Sequence, residues 1–251
     1  MNHCLQGKTA IITGATGQLG RVMARTLAQH GADIAVHYLR NKEMADQLVA
    51  EIEAMGQRAL AVQAEVASEN AVNTLRDTVF SAMGPVHIVV NNAVQQYPWK
   101  SILAQPVADF QSQFNTCTLQ SVLTAKAFLP AMLERNSGRF IGINSECAAL
   151  CHAGSGAYAA AKRGMDGLYR VLAKEVGAQG VTVNQVAPGW TVSDRDRAKG
   201  TEVSPSYAQH VPLGRRGTDQ EIADAVLFLA SDAAAFITGV NLPVCGGTVM
   251  C

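Results

Sequence analysis

Apolar residues along the chain fall into short runs separated by helix-length stretches in which they recur about every 3.6 residues. Thr9–Thr13 reads as a strand and Leu19–His30 as a helix closed by Gly31. Ile34–Val36 reads as a strand, Lys42–Met55 as a helix stopped by Gly56, and Ala59–Val62 as a third strand. A helix over Glu69–Met83 precedes a Gly84-Pro85 break. Val86–Val90 is a nearly unbroken apolar run, as a strand covered on both faces requires. A long helix is expected over Phe110–Arg135, then a strand at Arg139–Asn144, a helix from about Tyr158 to Ala178, and a strand at Val181–Val186. Such alternation predicts an α/β fold: a doubly wound, mostly parallel sheet with helices on both faces. Pro188–Arg216 breaks the rhythm, and a polar stretch of that length in a compact unit reads as a lid or substrate loop. With no repeat or linker, residues 1–251 are expected to form one domain.

Composition narrows the field. Of 251 residues, 48% are hydrophobic and 16% charged, enough apolar material for a sizeable core. Formal net charge is zero, so no basic excess points to nucleic acid. No apolar run approaches the roughly 20 residues that span a bilayer. The first residues, Met1 to Lys8, lead straight into a strand pattern without a signal-peptide core, and a cytoplasmic protein is expected. Cys4, Cys117, Cys147, Cys151, Cys245 and Cys251 form no Cys-x-x-Cys pair and read as reduced thiols. Cys147, Cys151 and His152 are close in sequence but fall short of the four ligands of a structural zinc site, so no metal is expected.

Three groups supply candidate chemistry. In Thr13–Gly20, Gly14 and Gly20 suit a turn between strand and helix whose backbone N–H groups face an anion. Tyr158 and Lys162 are one helical turn apart and share a face. A phenol, with a reference pKa of about 10, exchanges protons near neutrality only with help from a nearby cation. Ser145 ends the preceding strand, where it can hold a substrate oxygen beside Tyr158. Together they suggest proton transfer coupled to hydride transfer between a nicotinamide and a carbonyl or alcohol. The second strand ends in His37-Tyr38-Leu39-Arg40 without the acid that would hold both ribose hydroxyls of NAD. Arg40, helped by Lys42, would instead attract a 2′-phosphate. NADP(H) is the expected cofactor, with NAD(H) the alternative.

Thr13-Gly14, Asn91-Asn92-Ala93, Ser145, Tyr158, Lys162, Pro188-Gly189 and Gly246-Gly247 make the chain resemble the short-chain dehydrogenase/reductase family from end to end. The resemblance implies a Rossmann-like fold with Gly14, Thr16, Gln18, Leu19 and Gly20 at the pyrophosphate, and Glu65 and Val66 near the adenine. It sets Asn91, Asn92 and Ala93 along the ribose, and Pro188, Gly189 and Thr191 near the carboxamide. Tyr158 would be the general acid of reduction and the general base of oxidation. Lys162 would assist it and bond the ribose, and Ser145 would hold the substrate oxygen. The Tyr-x-x-x-Lys spacing disfavours the family's enoyl reductases, which use a longer gap. The resemblance also suggests a homotetramer packed through helices around 110–135 and 158–178.

Four positions depart from the family pattern: Gln18 and Val94 stand where glycines are usual, Cys245 where an aspartate is, and Cys117 where a helix-bending asparagine is. Glu146, Cys147, His152, Gln95 and Trp190 are candidates for the substrate side, and Asp194–Arg197 reads as solvated lid surface. The expected activity is oxidoreduction of a ketone or secondary alcohol. The rivals are an NAD(H)-dependent sugar or polyol dehydrogenase, and a dinucleotide-binding sensor whose chemistry the loss of asparagine at 117 has weakened.

Overall fold

A computed structural model describes residues 3–250; Met1, Asn2 and Cys251, part of the N-terminal and thiol expectations, lie outside the described residues. In chain order the elements are β1 (Thr9–Ile12), α1 (Gln18–Gln29), β2 (Asp33–Tyr38), α2 (Lys42–Ala54), β3 (Ala59–Gln63), α3 (Glu69–Met83) and β4 (Ile88–Asn91). There follow α4 (Val107–Gln113), a π-helical turn (Phe114–Leu119), α5 (Gln120–Glu134), β5 (Gly138–Ile143), α6 (Cys147–Leu150), α7 (Gly156–Val176) and β6 (Val181–Pro188). The chain ends with α8 (Asp194–Lys199), α9 (Pro205–Ala208), α10 (Asp219–Ala230) and β7 (Asn241–Val244).

The seven strands form one sheet in the order β3-β2-β1-β4-β5-β6-β7, every pair parallel. From β1 the chain steps outward to β3, then returns to lay β4 on the other side of β1. Ile12 accordingly pairs with Val36 on one flank and Val90 on the other. This reversal opens a crevice beyond the carboxyl ends of β1 and β4, where open α/β sheets bind ligands. All of β1, β4 and β6 is buried, as expected of strands with helices on both faces. One face packs α1, α2 and α10 through Met23, Leu27, Leu48, Ile52, Ile222 and Val226. The other packs α3, α5 and α7 through Leu75, Val79, Phe128, Met132, Met165 and Tyr169. Each such side chain contributes about 1.5–3 kcal/mol on full burial.

The differences from the sequence expectation have local causes. The run starting at Val86 becomes strand at Ile88, and just before it His87 bonds Thr9 twice, donating its backbone N–H to the Thr9 carbonyl (2.8 Å) and accepting the Thr9 N–H at Nδ1 (3.0 Å). The helix expected over Phe110–Arg135 begins at Val107 and contains the π-helical turn, where Gln120 donates its backbone N–H to the Asn115 carbonyl five residues back. One inserted residue barely disturbs an apolar period, so the pattern hides it. The expected loop at Pro188–Arg216 contains α8 and α9. Three further elements, α6, α10 and β7, have no counterpart among the expected ones. α10 opens with a full capping box between Thr218 and Glu221, and β7 carries Pro243, which suits only an edge strand.

Among the described residues no helix is long and apolar enough to cross a membrane, and no group of three His, Cys, Asp or Glu side chains could hold a metal.

Candidate active site

The turn after β1 is built from backbone. Gly14 has φ +62°, and a Cβ there would stand 2.9 Å from Ala93 Cα. At Gly20 a Cβ would meet the Gly14 carbonyl oxygen at 2.4 Å. These two positions exclude any side chain; at Gly17, with φ −72°, a Cβ would press on the Gly14 carbonyl oxygen at 3.3 Å, tighter than ordinary contact but wider than at 14 or 20. Thr13 Oγ1 ties the turn to the end of β4 by accepting the N–H groups of Asn92 (2.9 Å) and Ala93 (3.0 Å). Asn92 returns two bonds through Nδ2, to the carbonyls of Thr13 and Gly14. A cradle that a single Cβ would fill fits the pyrophosphate of a dinucleotide. Thr16 lies within this turn, while Leu19 reaches the site cavity.

The other expected cofactor contacts differ in their surroundings. Asn91 is 1% exposed: its Nδ2 donates to Tyr169 Oη (2.9 Å) and its Oδ1 accepts from Thr124 (3.0 Å). With both ends of the amide consumed by the core, the Asn91 side chain braces β4, and Asn92 lines the cavity. Val66 is buried, Glu65 is exposed, and Arg40 is exposed two residues beyond β2. Lys42, the expected helper, is engaged with Asp46 at 2.6 Å.

A cavity of about 580 Å³ runs from Leu19 and Asn92, past Pro188, Gly189 and Thr191, to Ser145, Tyr158 and Lys162. The three chemical residues come from two elements. Ser145 follows β5, where its N–H donates to Asn144 Oδ1 (2.8 Å) and its Oγ accepts from Cys147 N (3.2 Å). Tyr158 and Lys162 sit on one face of α7, with the ammonium 5.5 Å from the phenol ring centre. Lys162 is 3% exposed and donates to the Ile143 carbonyl at 2.5 Å. Burial pushes the Tyr158 phenol up, and Lys162 and Ser145 pull it only part of the way back, so the phenol keeps its proton. Burial opposes the Lys162 charge, but Cys117 and Tyr158 outweigh it and the ammonium lies above its ordinary value.

Cys117, fully buried, adjoins this lysine from within the π-helical turn. The helix is therefore distorted at the expected place without an asparagine. Around it Thr118 Oγ1 donates to the Ala161 carbonyl (3.0 Å) and Ser121 Oγ to the Cys117 carbonyl (2.9 Å), fixing the turn against α7. Cys245, at the other substituted position, uses its thiol to accept Val249 N at 3.2 Å and closes the C-terminal turn.

Gln95, Glu146, Cys147, His152 and Trp190 all line the same cavity as Ser145, Tyr158 and Lys162. So do Tyr97, Trp99, Gln113 and Tyr207, which sequence reasoning did not single out. Tyr97 Oη accepts the Tyr158 N–H (2.9 Å), and Trp99 lies 6.2 Å from the Tyr158 ring. Glu146 is 5% exposed and accepts from Tyr207 Oη at 2.8 Å; burial raises its carboxyl despite that bond. Tyr207 is pushed up to about 12, by burial first and by Glu146 in addition. The stretch Asp194–Arg197 is not merely solvated surface. Asp196 pairs with buried Arg216 (2.7 Å), and Arg197 grips Asp219 with two bonds.

Comparison with known proteins agrees with this geometry. A family model described as Enoyl-(Acyl carrier protein) reductase matches residues 14–249. A 3-oxoacyl-[acyl-carrier-protein] reductase FabG of Staphylococcus epidermidis is 36% identical over 253 residues, covering 97% of this chain and 99% of the relative. The 3-oxoacyl-[acyl-carrier-protein] reductase of Synechocystis is 37% identical over 247 residues, 98% of each chain. Among solved structures, a blue fluorescent protein from a metagenomic library in complex with NADPH superposes with a TM-score of 0.90 at 34% identity, over 98% of this chain and 99% of the other. An NAD+-bound xylitol dehydrogenase reaches 0.90 at 27% identity, over 97% and 99%.

Proposed function

Because the chain belongs to the short-chain dehydrogenase/reductase family and is an NAD(P)-dependent oxidoreductase, we propose that it is an NADP(H)-dependent enzyme interconverting a ketone and a secondary alcohol within one catalytic domain. The observation that carries this reading is the shared cavity wall of Ser145, Tyr158 and Lys162, continuous with Leu19 and Thr191 at its other end. NADP(H) is supported by exposed Arg40 at the end of β2 and by the NADPH held in a structurally similar protein. Bound nicotinamide supplies the hydride for reduction, or accepts it in oxidation.

In this reading Ser145 Oγ donates to the substrate carbonyl oxygen and holds it beside Tyr158. The phenol delivers its proton to the oxygen as negative charge develops there. Burial raises the phenol above its ordinary value, so the proton is there to be delivered. Lys162 stabilises the phenolate left behind and thereby lowers the barrier. Its 2.5 Å bond to the Ile143 carbonyl keeps the ammonium under the ring. Gly14, Thr16, Gln18, Leu19 and Gly20 would line the pyrophosphate, Asn92 and Ala93 the ribose, and Pro188, Gly189 and Thr191 the carboxamide.

The four-residue step from Tyr158 to Lys162 supports carbonyl over enoyl reduction, and the names of the relatives make a 3-oxoacyl thioester a natural first substrate. The test is NADPH oxidation with a permissive diketone and with a 3-oxoacyl thioester. Turnover that falls about 10²–10⁴-fold in Tyr158→Phe, with NADPH binding retained, is the expected result. A wild type that binds NADPH but turns over neither ketone would overturn it.

A further inference from the structure

The position at which the family pattern has its middle glycine carries a side chain that reaches away from the turn. Gln18 Nε2 donates to the Val192 carbonyl (2.6 Å) and to Asp219 Oδ2 (3.0 Å), while Oε1 accepts the Asp194 N–H (3.1 Å). Both amide protons and the amide oxygen are thus spent on residues more than 170 positions away in sequence, none of them in α1. A neighbouring bond joins Arg21 to Asp194, and Asp219, 7% exposed, also receives both bonds from Arg197. The first half of the 190–216 segment, with α8, is therefore strapped to the start of α1 and to α10.

The second half, with α9, is tied elsewhere. Tyr207 donates to Glu146, the residue after Ser145, and its oxygen accepts the Trp190 N–H at 2.8 Å. Its ring meets Trp190 edge-on at 5.4 Å. Arg216 is the post common to both halves: it pairs with Asp196 and stacks on Trp190 at 4.2 Å. One segment has two anchors, one at the phosphate turn and one at the substrate end.

We infer that Gln18 and Glu146 are positioning residues that set two different kinetic constants. Gln18 holds the α8 half across the cofactor's pyrophosphate end and governs how long the cofactor stays. Glu146 holds the α9 half over the carbonyl end and governs the KM of the substrate. The assignment rests on the function proposed above. It also explains the departure at position 18: a glycine approaches phosphate closely but cannot hold a lid, and an amide can. Release of bound cofactor commonly limits turnover in enzymes with such lids.

The test combines NADPH release, followed by stopped-flow fluorescence, with backbone hydrogen exchange at 192–199 and 205–211. Gln18→Ala is expected to release NADPH about tenfold faster, equivalent to ~1.4 kcal/mol, and to speed exchange only at 192–199. Glu146→Leu is expected to speed exchange at 205–211 and raise the KM of the carbonyl about tenfold, with NADPH release unchanged. Glu146→Gln, whose amide oxygen still accepts from Tyr207, should keep exchange at 205–211 near the wild-type rate. The inference fails if Gln18→Ala leaves release unchanged, if either variant loosens both halves alike, or if Glu146→Gln behaves as Glu146→Leu. Release and exchange need no turnover, so a silent wild type would defeat the proposed reaction while these two measurements still decide the role of Gln18 and which half of the segment each anchor holds.

Discussion

The backbone N–H of Gly14 donates to Nδ1 of His37 at 2.9 Å, so the phosphate turn hangs on an imidazole at the end of β2. Nε2 of the same ring faces the Ala64 carbonyl at 3.0 Å, which assigns the proton to Nε2 and the lone pair to Nδ1. The ring is 2% exposed, and burial lowers its pKa below the ordinary 6.5 despite the Ala64 bond. Protonation would put a hydrogen where Gly14 needs an acceptor.

Because the folded pKa is the depressed one, the unfolded chain takes up its proton first as pH falls. The contribution of His37 is complete above about 6.5 and is lost progressively below it. The Tm of the wild type should therefore fall more steeply between about pH 7 and pH 5 than that of His37→Asn. His87, also lowered by burial, is common to both proteins, so the difference isolates His37. Parallel curves in thermal melts would show that the ring carries no such linkage.

Gly20→Ala should damage the turn far more than Gly17→Ala. The added methyl at 20 meets backbone at 2.4 Å (Gly14 O) and 2.7 Å (Ala15 Cα), and backbone cannot swing aside as a side chain can. Overpacking of this kind costs about 1–3 kcal/mol. The expected outcome is a lower Tm and at least about tenfold weaker NADPH binding for the variant at 20. Gly17→Ala, whose methyl approaches the Gly14 oxygen only to 3.3 Å, should melt and bind closer to the wild type than Gly20→Ala does.

These two glycines mark what the sequence makes legible. Periodicity alone conveys the alternation of strands and helices, because strands covered on both faces must be apolar throughout and helices only along a stripe. Ser145, Tyr158 and Lys162 are legible because their spacing has a chemical reason. What stays hidden is whatever depends on partners distant in sequence. That the Asn91 amide is held by Thr124 and Tyr169 cannot be read from its neighbours in the chain. Asp194–Arg197 looks like solvated charge until Arg21, Arg216 and Asp219 appear beside it. Tyr207 gives no local signal at all, since its partner Glu146 is 61 residues away. The missed α10 differs: its Thr218-x-x-Glu221 box was readable as a helix start.

Arg40→Ala should weaken NADPH about tenfold, or ~1.4 kcal/mol, and leave NADH unchanged. An exposed guanidinium at the end of β2 can add charge-assisted bonds to a 2′-phosphate and has nothing comparable to offer a hydroxyl. Fluorescence titration with both nucleotides checks this, and raising the salt should narrow the preference of the wild type. Equal losses for the two cofactors would assign Arg40 to the adenosine moiety at large and leave the phosphate unread.

Cys117 offers the sharpest separation between a side chain and the backbone shape it accompanies. The π-helical turn is held by the Gln120 N–H on the Asn115 carbonyl, by Thr118 on Ala161 and by Ser121 on Cys117, and none of these bonds uses the thiol. Removing the thiol should therefore leave the distortion intact, and Cys117→Ala should keep kcat within about threefold, a change worth under ~1 kcal/mol. Restoring an asparagine is a different perturbation. The site is 0% exposed, so the larger amide must displace neighbours, at about 1–3 kcal/mol of stability. If Cys117→Asn melts lower yet turns over more than tenfold faster, the amide itself assists proton movement to Lys162 and this chain operates without that help. If it melts lower with no gain in rate, the bend is what the chemistry requires, and the backbone already provides it.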